Sequence, residues 1–341
     1  MSRRIQLSTV FILIGLIALL GACSGGAQEL PLPDEPIKIT ISYRPFMSFA
    51  PLFFALEEGY YEEQGLEVEF IEMPSDDAVV GLINGDIDVV GGFVTPNTLN
   101  AMNQGELIKY VADKGFVDPD SPCSVNALTV SAETMASGIL DDPSNWAGMK
   151  VEADENNMEA YMFSLLAEQA GMTLDDFDFI PLPPPVELSS IIDGSIAISS
   201  GSEPWLTRAM LAGAEIWKPA KDIIPGATFA IIEFGPSILE DDPDLGKRFM
   251  VAYLKAVNQL AEGKTERNME LMVNFTGLDE DLLDQACWAN FAEGARINTQ
   301  SILDFQEYLF ERGMLDAIVP VETFYDPAFT DYAVDIVGTA E

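Results

Sequence analysis

The sequence predicts an α/β protein of two units, each a mostly parallel sheet flanked by helices, with a helical stretch after the second. Three observations carry that prediction. Short apolar strands alternate with helical stretches from residue 37 to 112, and the alternation begins again near residue 127. Beyond Pro236 only the helical period persists. The 341 residues suffice for two domains of about 150 residues each.

In order along the chain, Ile37, Ile39 and Ile41 repeat every second residue and mark a strand. Phe49, Leu52, Phe53 and Leu56 share one helical face over 49–58, and Gly59 ends that helix. Leu66, Val68 and Phe70 make the next strand. A helix over 78–84 stops at Gly85, a buried strand follows at 87–90, Pro96 opens a helix to 104, and 107–112 is a strand. In the second unit, strands at 127–130 and 149–151 precede an amphipathic helix over 158–170 closed by Gly171. A strand at 177–180, a proline run from Pro181 to Pro185, a helix at 186–192 and a strand at 196–198 come next. A helix at 203–212 and a strand at 228–232 complete the unit. Helices at 243–262, 266–275, 280–289 and 301–312 form the tail, which is expected to pack back on the first unit.

Composition bounds the function. Hydrophobic residues are 48% of the chain, which excludes disorder, a state that combines low hydrophobicity with high net charge. Seventeen Lys and Arg stand against 56 Asp and Glu, a formal net charge of −39. Such a surface repels a polyanion, so nucleic acid is excluded as a partner. It reads instead as the solvated face of a protein from a salty habitat, with a specific cationic partner as the alternative. No histidine occurs, which removes Ser–His and Cys–His nucleophilic pairs, two-His metalloprotease helices and most zinc and haem sites.

The first 22 residues read as an export signal. Arg3 and Arg4 supply the positive start, and the uncharged stretch from Val10 to Leu20 is too short to cross a bilayer, which takes about 20 helical residues. Leu20-Gly21-Ala22-Cys23 follows at once and looks like the bacterial lipoprotein box, with Cys23 as the residue that receives lipid. Residues 23–36, with Gly25, Gly26, Pro31, Pro33 and Pro36, read as a lipidated tether. Cleavage after Ala22 removes two arginines and no acid, taking the charge to −41. Cys123 and Cys287 then face an oxidising compartment; they either pair or remain two separately buried thiols.

A series of short motifs carries a resemblance. Tyr43-Arg44-Pro45 stands at a strand end, followed by Phe49-Ala50-Pro51-Leu52-Phe53-Phe54-Ala55, Glu58-Gly59-Tyr60-Tyr61, Gly65-Leu66-Glu67-Val68 and Asn84-Gly85-Asp86-Ile87-Asp88. Trp146-Ala147-Gly148-Met149-Lys150-Val151, Asp193-Gly194-Ser195-Ile196, Glu203-Pro204, Asp242-Pro243-Asp244 and Gly313 continue it. Together they resemble the solute-binding proteins of ATP-driven (ABC) importers, in the branch that handles nitrate, sulfonates, taurine, thiamine pyrimidine precursors and riboflavin. The resemblance implies a two-lobed periplasmic-binding-protein fold of type 2, with two crossover strands near Ala127–Ser131 and Phe229–Glu233 and a ligand cleft between the lobes. Lobe one is then 37–126 with 232–330, lobe two is 127–231, and 331–341 is a C-terminal tail.

Ligands of parallel α/β sheets sit beyond the carboxyl ends of the strands. The loops there are 42–48, 91–98, 154–157 and 199–205, which nominate Tyr43, Arg44, Phe46, Ser48, Phe49, Thr95, Asn97, Asn156, Asn157, Glu203 and Trp205 as ligand-binding residues. Several have a structural role as alternative. Thr95, Asn97 and Thr98 suit helix capping, Arg44 a surface ion pair, Phe49 the apolar helix face, and Glu203 a helix start. The thiamine-pyrimidine members carry Trp, Asn and His where this chain has Tyr43, Phe46 and Phe49, and Phe49-Ala50-Pro51 looks more like the riboflavin-type branch.

The expected function is capture of a small planar heterocycle, riboflavin-like or thiamine-pyrimidine-like, for delivery to a membrane ABC permease. The alternative solutes are an aliphatic sulfonate, taurine or nitrate. The protein is expected to act as a monomer held by lipid at the outer face of the cell membrane, with no cofactor, metal or catalytic residue. An exported enzyme on the same scaffold and a ligand sensor are the competing classes. No Gly-x-Ser-x-Gly elbow, Cys-x-x-Cys, phosphate loop or Gly-x-Gly-x-x-Gly supports the enzyme.

Overall fold

The computed structural model describes residues 27–340. The expected signal peptide at 1–22 and Cys23 lie outside the described residues. The chain lays down β1 (Ile37–Tyr43), β2 (Leu66–Glu72), β3 (Val89–Phe93) and β4 (Lys109–Phe116). It crosses to β5 (Asn126–Ser131), β6 (Lys150–Glu152), β7 (Asp178–Phe179), β8 (Ile198–Ser202) and β9 (Ala214–Pro219), then returns for β10 (Thr228–Phe234). The two sheets have five strands each, in the orders β2-β1-β3-β10-β4 and β7-β6-β8-β5-β9. Strands β1, β2 and β3 run parallel, as do β6, β7 and β8. The strand arriving from the other lobe, β10 or β5, is antiparallel to both its neighbours. The two-lobed, mostly parallel α/β architecture is therefore as expected.

Helices α1 (Ala50–Glu57), α2 (Ser75–Asn84) and α3 (Pro96–Asn103) flank the first sheet; α4 (Met158–Gln169), α5 (Pro184–Ile192) and α6 (Trp205–Leu211) flank the second. Gly85 ends α2 at φ 77°, a left-handed conformation that suits a residue without Cβ. α1 turns a different face inward than its spacing suggested. It buries Ala50, Pro51, Leu52, Phe54 and Ala55 and leaves Leu56 40% exposed, because seven consecutive apolar residues allow more than one buried face. β9 was not expected, since Ile216 and Trp217 are its only large apolar residues and it lies at a sheet edge.

The crossings lie beside the expected positions. Residues 127–131 and 229–233 are inside β5 and β10, and the connectors are 117–125 and 220–227. The connectors run side by side, with Val117 N donating to Ala227 O and Gly226 N to Val117 O, both at 2.8 Å. Cys123 and Cys287 form a disulfide, so one connector is tied to the helical tail.

That tail comprises α7 (Pro243–Ala261), α8 (Glu266–Thr276), α9 (Glu280–Gln285), α10 (Thr299–Glu311) and α11 (Ala328–Val337). α7 packs against α1 and α11, in keeping with a tail folded back on the first lobe. α10 departs from that expectation. Its Phe305 and Tyr308 rings lie 5.7 and 5.5 Å from Tyr161 on α4, so it also braces the second lobe. α11 runs through position 331, where a tail was expected, because Phe329 packs edge-on to Phe234 at 5.0 Å. Part of the segment 23–36, read as a tether, is held by hydrogen bonds to the first lobe. Arg248 Nη2 donates to Pro31 O at 2.6 Å, and Leu30 N donates to the Tyr332 hydroxyl at 3.2 Å, which fastens residues 30–31 to α7 and α11.

Candidate functional site: an interlobe cavity

A cavity of about 440 Å³ lies between the two sheets and takes its wall from both lobes. The first lobe contributes the turn after β1, the N-terminal end of α2, the β3–α3 loop and Phe229 of β10. The second contributes Asn126 of β5, the ends of β6 and β8 with the residues that follow them, and the first turns of α4, α5 and α6. The wall therefore sits beyond the carboxyl ends of parallel strands, where loops and helix starts converge.

Eight of the eleven nominated residues line it: Arg44, Phe46, Ser48, Thr95, Asn156, Asn157, Glu203 and Trp205. Tyr43, Phe49 and Asn97 do not. Tyr43, the last residue of β1, packs edge-on to Phe53 at 4.8 Å and to Phe70 at 5.7 Å, because strand alternation turns it toward α1 rather than over the strand end. Phe49 is fully buried behind the wall, edge-on to Phe93 at 5.9 Å. Gly91 makes room for it, since a Cβ there would lie 2.9 Å from the Phe49 ring. Asn97 is exposed on α3.

Several wall residues also hold the local structure. Thr95 Oγ1 accepts from Thr98 N, and Asn157 Oδ1 accepts from Ala160 N at 3.0 Å, which caps α3 and α4. Glu203 is 3% exposed. Its carboxylate accepts from Thr207 N, Thr207 Oγ1 and Cys287 N at 2.8–3.1 Å, so it stitches the β8–α6 turn to the disulfide loop. Burial raises its pKa, and these hydrogen bonds oppose the rise. Arg44 makes no ion pair among the described residues; its guanidinium lies 4.8 Å from the Phe46 ring centroid.

The sequence reading missed three features of the site. Phe93 and Phe229 complete an aromatic lining with Phe46 and Trp205, and Phe93 meets Phe46 edge-on at 6.0 Å. Phe93 lies in the nominated 91–98 loop, so its aromatic character was the available signal. Behind that lining, Lys114 is fully buried, with Nζ 3.4 Å from the Phe49 ring centroid and 3.2 Å from Ser48 Oγ. Burial pushes its pKa well down. Burial likewise pushes neighbouring Asp113 up to about 7 and Glu233, whose carboxylate has no hydrogen-bond partner, well above the usual range. Finally, the wall is acidic, with Asp76, Glu152, Asp154, Glu159 and Glu187 beside Glu203. In a chain of 56 acids no spacing marked these five.

Known proteins share this architecture. The periplasmic aliphatic sulphonate binding protein SsuA from Escherichia coli matches with TM-score 0.68 and 17% identity over 86% of this chain and 94% of that one. The periplasmic nitrate-binding protein NrtA from Synechocystis PCC 6803 matches with TM-score 0.67 and 14% identity over 90% of both chains. The desulfurization enzyme DSZB matches with TM-score 0.62 and 12% identity over 88% of this chain and 99% of that one. At these identities the likeness concerns the fold, and that fold carries binding proteins and an enzyme alike. No curated protein matches the sequence. Residues 47–266 match the family described as NMT1/THI5 like. That match runs from the turn after β1 through both crossings into α8, more than half of the chain, and the protein belongs to the NMT1/THI5-like family.

Proposed function

We propose that this protein is the solute-binding component of an ABC import system, that it captures a small planar heterocycle between its lobes, and that lipid on Cys23 holds it at the outer face of the membrane. The observation that carries the reading is the cavity itself. Its volume of about 440 Å³ falls in the range of small-molecule sites, and Phe46, Phe93, Phe229 and Trp205 offer it aromatic faces. Ring stacking contributes about 0.5–1.5 kcal/mol per aromatic pair beyond simple burial. Ser48, Thr95, Asn156 and Asn157 supply polar partners for the edge of a ring.

A small anion is the second reading, favoured by the likeness to sulfonate- and nitrate-binding proteins. The wall argues against it, because Arg44 is its only Lys or Arg beside six carboxyl groups. Mass spectrometry of small molecules released from the purified protein, with thermal-shift screening of flavins, pyrimidines, sulfonates, taurine and nitrate, tests the assignment. A flat heterocycle that raises the melting temperature and is recovered unchanged supports it. Chemical conversion of that heterocycle would place the protein with the enzymes of this fold.

A further inference from the structure

The second lobe's side of the cavity carries, beside Trp205, five carboxyl groups: Glu152, Asp154, Glu159, Glu187 and Glu203. Glu152, the last residue of β6, is 7% exposed, and its Oε2 accepts from Ser200 Oγ at 3.1 Å and Ser200 N at 3.4 Å. Glu187, on α5, accepts from Ser199 Oγ at 2.5 Å. Both carboxylates are thus held by β8, and Glu152 lies near enough to Glu187 for its charge to raise the Glu187 pKa. Glu159, in the first turn of α4, lies near enough to act electrostatically on Glu187. None of the three is ion-paired with Lys or Arg among the described residues.

Asn126 gives a second, independent sign. It is 8% exposed and belongs to the wall. Its Nδ2 donates to Ser202 Oγ at 2.6 Å, while its Oδ1 has no donor. A buried acceptor without a donor is unfavourable, and so are neighbouring carboxylates without a counter-charge. Burial, then the charge of Glu152, pushes Glu187 up to about 7, so near neutral pH this group sits between holding a proton and holding a negative charge. A bound N–H cation relieves both conditions.

We propose that Glu152, Glu159 and Glu187, with the free amide oxygen of Asn126, form a subsite for a cationic nitrogen group of the solute, an ammonium, amidinium or guanidinium. The proposal rests on the reading of this cavity as the solute site and adds the charge of the solute. The aromatic first-lobe wall then holds the flat part of the molecule and the second-lobe wall its cationic edge, so that only the closed form satisfies both ends.

Two pairs of probes separate charge from shape, measured by calorimetry at pH 8. Benzamidine and benzamide are flat isosteres that differ in charge; methylguanidine and methylurea are the corresponding pair without a ring. The cation is expected to bind at least tenfold tighter than its neutral partner in one pair or both. In Glu159→Gln/Glu187→Gln, with folding checked by melting temperature, that ratio is expected to fall below threefold. A ratio below threefold in both pairs for the unaltered protein, absence of binding included, overturns the subsite. So does a tenfold ratio that survives the double substitution. The flat-ring reading fails separately, if neither benzene probe binds better than its ring-free counterpart.

Discussion

Trp205 stands in the cavity wall at the start of α6, with the Arg208 guanidinium 4.6 Å from its ring centroid. On the proposed function, it is the indole that a flat solute would meet on the second lobe. Trp205→Ala is expected to weaken binding of such a solute more than tenfold, or about 1.4 kcal/mol, read by calorimetric titration with riboflavin or a hydroxymethylpyrimidine. Tight binding of taurine or nitrate, insensitive to Trp205→Ala and lost in Arg44→Ala, overturns the aromatic assignment. The buried acids make a second statement, about pH. Burial pushes Glu187 and Asp113 up to about 7 each, and it pushes Glu233 well above the usual carboxylate range. A carboxyl group whose pKa rises on folding stabilises the protein fully below its unfolded pKa, and that stability is lost as pH climbs through the folded value. Lys114, lowered on folding, works in the opposite sense, but it is one group against three, and the net charge of −39 adds self-repulsion as pH rises. The ligand-free protein should therefore melt at a higher temperature at pH 5.5 than at pH 8, and Glu187→Gln should reduce the difference. A melting temperature that climbs steadily from pH 5.5 to 8 contradicts this account.

The helices and strands explain why some site residues were legible and others were not. β1 ends where its alternation stops, so the turn carrying Arg44 and Phe46 was visible as a loop beyond a strand end. Which side Tyr43 faces depends on the sheet that β2 completes and on α1, and neither is written within residues 37–43. The C-terminal helices were visible individually by period, yet their destinations were not. α10 joins both lobes through Phe305 and Tyr308, and the segment after α9 reaches the connector through Cys287. The disulfide closes a loop of 164 residues in sequence separation and ties a crossing to that segment. A native disulfide of this kind contributes about 2–4 kcal/mol, chiefly by restricting the unfolded chain. The Cys123→Ser/Cys287→Ser protein is expected to lose that much in urea unfolding. A loss under 0.5 kcal/mol would show that the bond does not constrain the unfolded ensemble.

Two sheets joined by a pair of hydrogen-bonded connectors, with one cavity wall on each, form a clamp. Residues 117–125 and 220–227 are where the backbone must turn if the lobes move, since elsewhere the sheets are separate ladders. A solute that touches both walls stabilises the closed arrangement, whereas one that binds both arrangements equally shifts nothing. Small-angle scattering should therefore report a smaller radius of gyration with solute. At a hundredfold excess over Kd the native state gains about 2.7 kcal/mol, visible as a higher melting temperature. Stabilisation without compaction would mean that the lobes are already closed, braced by α10. The proposed attachment to the membrane is tested separately. Among the described residues no helix is long and apolar enough to cross a bilayer. Cys23→Ser is expected to move the protein from the membrane to the soluble fraction, and persistence in the membrane would point to another anchor.

Local pattern in the chain was enough for the two α/β units and most strand and helix positions, and it put eight of the eleven residues nominated for ligand binding at the cavity, because period and strand-end position are properties of neighbouring residues. Long-range placement was not legible in it. The antiparallel insertion of β5 and β10, the pairing of Cys123 with Cys287, the fastening of residues 30–31 by Arg248 and Tyr332, and the withdrawal of Phe49 behind Phe93 all join segments far apart in sequence. The acidic wall is the sharpest case. Glu152, Glu159 and Glu187 are three among 56 acids, and only the packing of β6, α4 and α5 around β8 brings them to one surface. A charge acts over a few ångströms of space, and the spacing of residues along a chain does not fix that distance until the fold has formed.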